Sequence, residues 1–224
     1  MFEELKALRE RVGPQVEKRL AQFRELGAKG RTVFDFRPFA DLVYEADLFS
    51  ELCFCLLTAN SSALMGIKLQ KTIGPEGFRH LSQEELEKAI ASAGHRFARQ
   101  RAHRIVKARE SFHRVVELLS SQKDPRQVRE LLSNPSSPYK VEGFGLKEAS
   151  HFLRNIGYEG LAIVDRHVLR YLRERALLPP KSTLTKRLYL RAEEELQRVC
   201  DSLRMSQGEL DLYIFYYKTG KVLK

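Results

Sequence analysis

Lys147 and Asp165 are the residues of this chain whose types and spacing point to covalent chemistry. Lys147 follows the run Val141-Glu142-Gly143-Phe144-Gly145-Leu146, in the first turn of a helix that the run opens. The positive end of a helix disfavours an ammonium group, and desolvation would depress its pKa further. A neutral lysine is a nucleophile that forms a Schiff base with a carbonyl or a sugar C1′. Asp165 comes eighteen residues later, between Ile163-Val164 and Arg166-His167. A carboxylate there can return into the same cleft, to accept the lysine proton or to stabilise an oxocarbenium-like sugar. Each has a plainer reading: Lys147 as a solvated surface lysine, Asp165 as a helix N-cap. Gly143 and Gly145 flank one apolar residue. Glycine lets the backbone approach a partner closely, and the N–H groups that open the next helix then make a phosphate site. A junction whose glycines only close the turn has the same sequence.

The elements that must position these residues read as helices almost throughout, and the fold class expected is all-α with about ten helices. Residues 2–27 carry apolar positions at helical spacing, with Pro14 expected to split them into two helices and Gly27 and Gly30 to end them. A second helix is expected over 41–58, closing in the all-apolar run Leu52-Cys53-Phe54-Cys55-Leu56-Leu57 of a buried helix. Ser82 with Glu85 forms a capping box for a helix to Ala93, stopped by Gly94. A basic helix is expected over 97–119, a short one after Asp124-Pro125, then 146–156, 166–176, and one from Thr185 to Leu203. Ser206 with Glu209 opens the last. Ala162-Ile163-Val164 is the one short stretch that reads as extended.

Composition limits the partners. The 224 residues hold 39 Lys+Arg against 29 Asp+Glu, a net charge of +10 that points to a polyanion, nucleic acid first. No apolar run approaches the roughly 18 residues of a membrane helix. The charged opening MFEELKALRERV is no signal peptide, so the cytoplasm is expected. Three cysteines cannot build a disulfide scaffold.

The form Gly143-Phe144-Gly145-Leu146-Lys147 with Asp165 beyond the next helix resembles the helix-hairpin-helix DNA glycosylase superfamily. The stretch GLKEASHFLRNIGYEGLAIVDRHVLRYL resembles more specifically the 8-oxoguanine DNA glycosylase/lyases of the second, archaeal and bacterial, type. So do Leu57-Thr58-Ala59-Asn60, Gly94-His95-Arg96, and the ending Asp211-Leu212-Tyr213 to Gly220-Lys221-Val222-Leu223-Lys224. The resemblance implies a two-lobed fold with the active site between the lobes. Residues 1–56 with 157–224 would form one lobe and 57–156 the other, the hairpin lying at about 137–156. It implies that Lys147 attacks C1′, expels the base and cleaves the strand 3′ to the lesion by β-elimination, assisted by Asp165. It further implies phosphate binding at Gly143 and Gly145, and a monovalent cation that the hairpin carbonyls can hold. Lys224 would recognise the oxidised purine through a free carboxylate, with Phe215 beside it. Asn60 would be the wedge that fills the gap left by the extruded base, although it also reads as a helix C-cap. Relatives often carry Trp beside the Asn60 position and in the final helix; this chain has Ser61 and Phe215 there, and no Trp. The partner implied is double-stranded DNA containing 8-oxoguanine, met by a monomer without a membrane.

Other features are set aside. Cys53, Cys55 and Cys200 cannot ligate a four-cysteine iron–sulfur cluster, and the six histidines show no zinc-like spacing. His95 reads as structural more readily than as a cleft residue. The basic helix Arg96, Arg99, Arg101, His103, Arg104, Lys107, Arg109 tracks phosphates or is a solvated face. Two alternative functions stand: an endonuclease-III-like activity on oxidised pyrimidines, which the missing cluster and Lys224 oppose, and a non-catalytic DNA-tethering module, which Lys147 with Asp165 opposes.

Overall fold

The structure, a computed structural model, describes residues 2–122, 124–180 and 183–224. Ten helices and one small hairpin make up the described residues: α1 Glu3–Lys29, β1 Arg31–Asp35, β2 Val43–Asp47, α2 Leu48–Thr58, α3 Ala63–His80, α4 Gln83–Ser92, α5 Ala98–Ser121, α6 Pro125–Ser133, α7 Leu146–Asn155, α8 Arg166–Glu174, α9 Lys186–Leu203 and α10 Gln207–Thr219. Several helix starts fall where local capping chemistry dictates. Ser82 and Glu85 complete a reciprocal capping box, Asp124 accepts from Arg126 and Gln127 ahead of Pro125, and Thr185 and Ser206 each cap the third residue of their helices.

Several expectations about helix boundaries are corrected. Helix α1 runs unbroken through Pro14. Proline removes one N–H and leaves the Glu10 carbonyl without its partner. Both residues face solvent, where water can satisfy that carbonyl, while Val12, Val16 and Leu20 hold the opposite face on the core. Gly27 lies inside α1 rather than at its end. A Cβ there would stand 2.0 Å from the Ile156 carbonyl oxygen, so glycine is what lets α1 lie against the end of α7. Gly30, at φ +73°, is the actual C-cap.

The expected ten-helix, largely helical fold holds among the described residues, with one small hairpin added to it. β1 and β2 pair antiparallel with Phe34 opposite Tyr44, and burial alternates along β1, with Thr32 and Phe34 in and Arg31 and Val33 out. The helix expected from residue 41 therefore starts at Leu48, where Asp47 accepts from the Ser50 N–H at 2.8 Å and Ser50 Oγ answers the Asp47 N–H. Residues 161–165 form no strand. Helix α3, absent from the sequence reading, bends at Gly74 (φ +67°, ψ 168°) ahead of Pro75.

Helix α2 is the centre: ten of its eleven residues are buried, and it touches α3, α5, α7 and β2. Helix α7 packs on α1, α2 and α6, and α10 packs on α1, α8 and α9. The last residues return to this core, where Val222, Leu223 and Lys224 are buried.

Because only backbone meets the added carbon, Gly27→Ala is expected to cost about 3 kcal/mol by overpacking. Gly30→Ala, where the space is open and only the left-handed conformation opposes a side chain, costs about 1 kcal/mol. Urea unfolding at unchanged slope measures both.

Candidate active site and nucleic-acid interface

The hairpin joins α6 to α7. Val141 N–H donates to the Leu132 carbonyl and Phe144 N–H to the Val141 carbonyl, and Val141 and Phe144 are buried as the apolar hinge. Gly143 takes φ +93°, and a Cβ there would meet Arg104 Cδ at 2.7 Å. Gly145 is extended and caps α7, and its N–H is not free: it donates to Glu148 Oε2 at 3.1 Å. Among the described residues, no hydrogen bond engages the N–H groups of Leu146, Lys147 and Glu148. These, rather than the Gly145 amide, are the donors open to an anion. Lys140 Nζ donates to the Ser133 carbonyl at 2.8 Å and to that of Phe144. Its own ammonium thus sits on one of the hairpin carbonyls, and burial lowers its pKa from the ordinary lysine value.

Lys147 projects from the first turn of α7, with Nζ 3.3 Å from Glu148 Oε1. Asp165 caps α8: Oδ1 accepts from the His167 and Val168 N–H groups at 2.8 and 2.9 Å. The capping reading is therefore correct, and it coexists with a place in the cleft. Lys147 and Asp165 both line two cavities, of about 280 and 720 Å³. The smaller also contains Phe215 and Lys224; the larger contains Asn60 and His95.

Lys224 is the most tightly held of these residues. Its Nζ donates to Glu51 Oε2 and to Gln70 Oε1, each at 2.5 Å, with both side chains of the ion pair fully buried. The ammonium lies 4.0 Å from the Phe34 ring centroid, 4.2 Å from that of Phe54 and 5.7 Å from that of Tyr44. Burial pulls its pKa down to about 8 against the opposing pull of Glu51. Phe215 meets the His167 ring edge-on, centroids 5.4 Å apart. Asn60 follows the C-cap of α2 in the left-handed region (φ +60°), a conformation asparagine tolerates, and its side chain is exposed.

Some residues of the pocket escaped the sequence reading. Asp211, Arg154 and His151 line the smaller cavity. Asp211 Oδ2 lies 3.2 Å from Arg154 Nη1, and burial pushes its pKa up to about 7, with Arg154 pulling the other way. The signal for it was an acid between Leu210 and Leu212, four residues before Phe215 and so on the same helix face. Burial drives the His151 pKa well below the usual imidazole value.

The basic helix divides. Arg101 turns inward to the Ala59 carbonyl (2.7 Å) and Arg109 to those of Phe78 and Leu81 (2.7 and 2.9 Å), while Arg96, Arg99, His103 and Lys107 are exposed. His95 bonds the Leu57 carbonyl at 2.9 Å, the structural role. All three cysteines are buried, and burial raises their thiol pKa values, that of Cys200 to about 12. Among the described residues, no group of three His, Cys, Asp or Glu side chains is arranged to hold a metal ion.

Comparison with known proteins places this geometry. Residues 16–205 match the profile of the family described as 8-oxoguanine DNA glycosylase. The chain is 54% identical over 223 residues to an 8-oxoguanine DNA glycosylase/AP lyase of Aquifex aeolicus, covering all of this chain and 99% of that protein. The crystal structure of the Methanocaldococcus jannaschii 8-oxoguanine glycosylase/lyase, in complex with a 15mer DNA containing 8-oxoguanine, superposes with a TM-score of 0.83. It is 37% identical, with 99% of this chain and 98% of that one covered. A trapped endonuclease III–DNA covalent intermediate, 16% identical with a TM-score of 0.56 and 91% and 84% of the two chains covered, shares the fold alone. The ten helices, the glycine hairpin and the full-length likeness agree: the chain belongs to the 8-oxoguanine DNA glycosylase/AP lyase family of the helix-hairpin-helix superfamily.

Proposed function

We propose that this enzyme excises 8-oxoguanine from double-stranded DNA with Lys147 as nucleophile and Asp165 as its partner. The observation that carries this reading is the meeting of Lys147, Asp165, Phe215 and Lys224, from three helices and the last residue, around one cavity of about 280 Å³. Lys147 Nζ attacks C1′ while the glycosidic bond breaks, the bonding pair leaving with the base, which takes up a proton. The Asp165 carboxylate stabilises the positive charge that develops on the sugar and accepts a proton from the attacking amine. Opening of the sugar ring leaves a Schiff base on Lys147. Loss of a C2′ proton then expels the 3′ phosphate by β-elimination.

The other residues take supporting roles. The amides of Leu146 to Glu148, freed by the turn at Gly143 and Gly145, hold a backbone phosphate, and the exposed Arg96, Arg99 and Lys107 add sequence-independent affinity. Phe215 packs against the extruded base, and the main chain of Lys224 reads its oxidised edge through a carboxylate. Asn60, exposed beside the larger cavity, fills the vacated space in the duplex. No cofactor enters these steps, and a monovalent cation at the hairpin would share the Phe144 carbonyl with Lys140. A single copy of the chain supplies every group, and the cytoplasm is where it would meet the DNA. No helix among the described residues is long and apolar enough to cross a membrane.

Borohydride reduction in the presence of a duplex carrying 8-oxoguanine should link wild type covalently to the DNA and leave Lys147→Gln unlinked. An adduct that persists in the variant would assign the nucleophile elsewhere. Asp165→Asn should slow excision by a factor of about 10² to 10⁴. Its melting temperature should barely move, because asparagine caps a helix as well as aspartate does. A large loss of stability with unchanged excision would reduce Asp165 to its cap. Residues added after Lys224 should abolish excision of 8-oxoguanine; full activity in the extended chain would remove the carboxylate from base recognition.

A further inference from the structure

We propose that Glu51, assisted by Gln70, is a positioning residue that fixes the register between Lys224 and the helix carrying Lys147. This rests on the reading that Lys224 meets the base in the smaller cavity.

Glu51 and Gln70 line neither cavity and are fully buried, so they touch no substrate. Their hydrogen bonds nevertheless join the two sides of the pocket. Glu51 Oε2 accepts from Lys224 Nζ at 2.5 Å and from Gln70 Nε2 at 3.0 Å; Glu51 Oε1 accepts from Asn155 Nδ2 at 2.5 Å. Asn155 is the last residue of α7 and Lys147 the second, eight residues or about 12 Å apart along one rigid helix. One carboxylate therefore holds the Lys224 side chain with one oxygen and the nucleophile's helix with the other. Gln70 fixes the ammonium from a second direction, and its Oε1 is itself oriented by the Tyr44 hydroxyl at 2.8 Å. The rings of Phe34, Tyr44 and Phe54 enclose the ammonium on its remaining sides.

Stability alone does not account for this arrangement. A fully desolvated ion pair contributes little beyond what an apolar pair of the same volume would, whereas its directed bonds specify one geometry. A lysine whose side chain is locked at its tip, with its main chain in the cavity beside the His151 ring, has its backbone delivered to one place. Excision needs that place to be fixed relative to Lys147. Strand cleavage at a site that has already lost its base does not.

The test compares two single-turnover rates in the full chain: release of 8-oxoguanine from a duplex, and strand cleavage of a duplex with a preformed abasic site. Glu51→Gln and Gln70→Met should each lower the first rate by about tenfold or more, the scale of a small misplacement of reacting groups. The second rate should stay within about twofold, because neither residue touches Lys147 or the sugar. Equal losses in both rates, or no loss in either, would overturn the proposal. Gln70→Met leaves the Glu51–Lys224 pair intact, so it decides the question alone should Glu51→Gln not fold. If the chain extended beyond Lys224 loses excision while both variants keep the wild-type ratio of rates, the positioning role falls and base reading by Lys224 stands. If the extended chain keeps excision, the reading of Lys224 itself falls.

Discussion

An ammonium and a carboxylate with no exposure to water can exist only if the surrounding protein supplies what water would have supplied. The Lys224–Glu51 pair sets that condition for the fold. The glutamine comes from α3, the asparagine from α7, two of the three rings from the β1–β2 hairpin, and Glu51 with Phe54 from α2. Elements from both ends of the sequence must be in place before the pair is satisfied. The hairpin, a minor element by size, is in this light the wall that makes a buried lysine tolerable.

What was legible in the sequence was local. Ser82 with Glu85, Asp124-Pro125 and Thr185 each announce a helix start through bonds made within three residues, and the helices start there. The hairpin is different. Its strands are five residues each, and the alternation of Thr32, Phe34 and Phe36 is short enough to be lost beside a strong helical pattern. Helix α1 continues through Pro14 because core contacts override intrinsic propensity there, and those contacts have no local signature in the sequence. At the site, the hairpin glycines, Lys147 and Asp165 carry their own spacing, and the resemblance to known glycosylases supplies the roles proposed for them. Glu51, Gln70 and Arg154 have no such local signature, since their partners lie 173, 154 and 57 residues away along the chain. A single charged residue within the mostly apolar α2 is the trace that Glu51 leaves in the sequence.

Several residues in and beside the pocket are tied into the fold by their own hydrogen bonds. Asp165 uses one oxygen, Oδ1, for both cap bonds and still lines both cavities. Its orientation is thereby set by the start of α8, and the charge-stabilising role proposed for it calls for such preorganisation. Glu148 closes the Gly145 amide with one oxygen and lies near Lys147 with the other, so the hairpin turn and Lys147 share a neighbour.

The cysteines, which take no part in any of this, have a consequence of their own. Each is enclosed in the core, and each thiol is held in its protonated form by that enclosure. The species that peroxides attack is the thiolate, and it is scarce here. The lesion this family removes arises where oxidants are abundant. A repair enzyme built with its sulfhydryls sealed away stays serviceable under the same conditions that create its work.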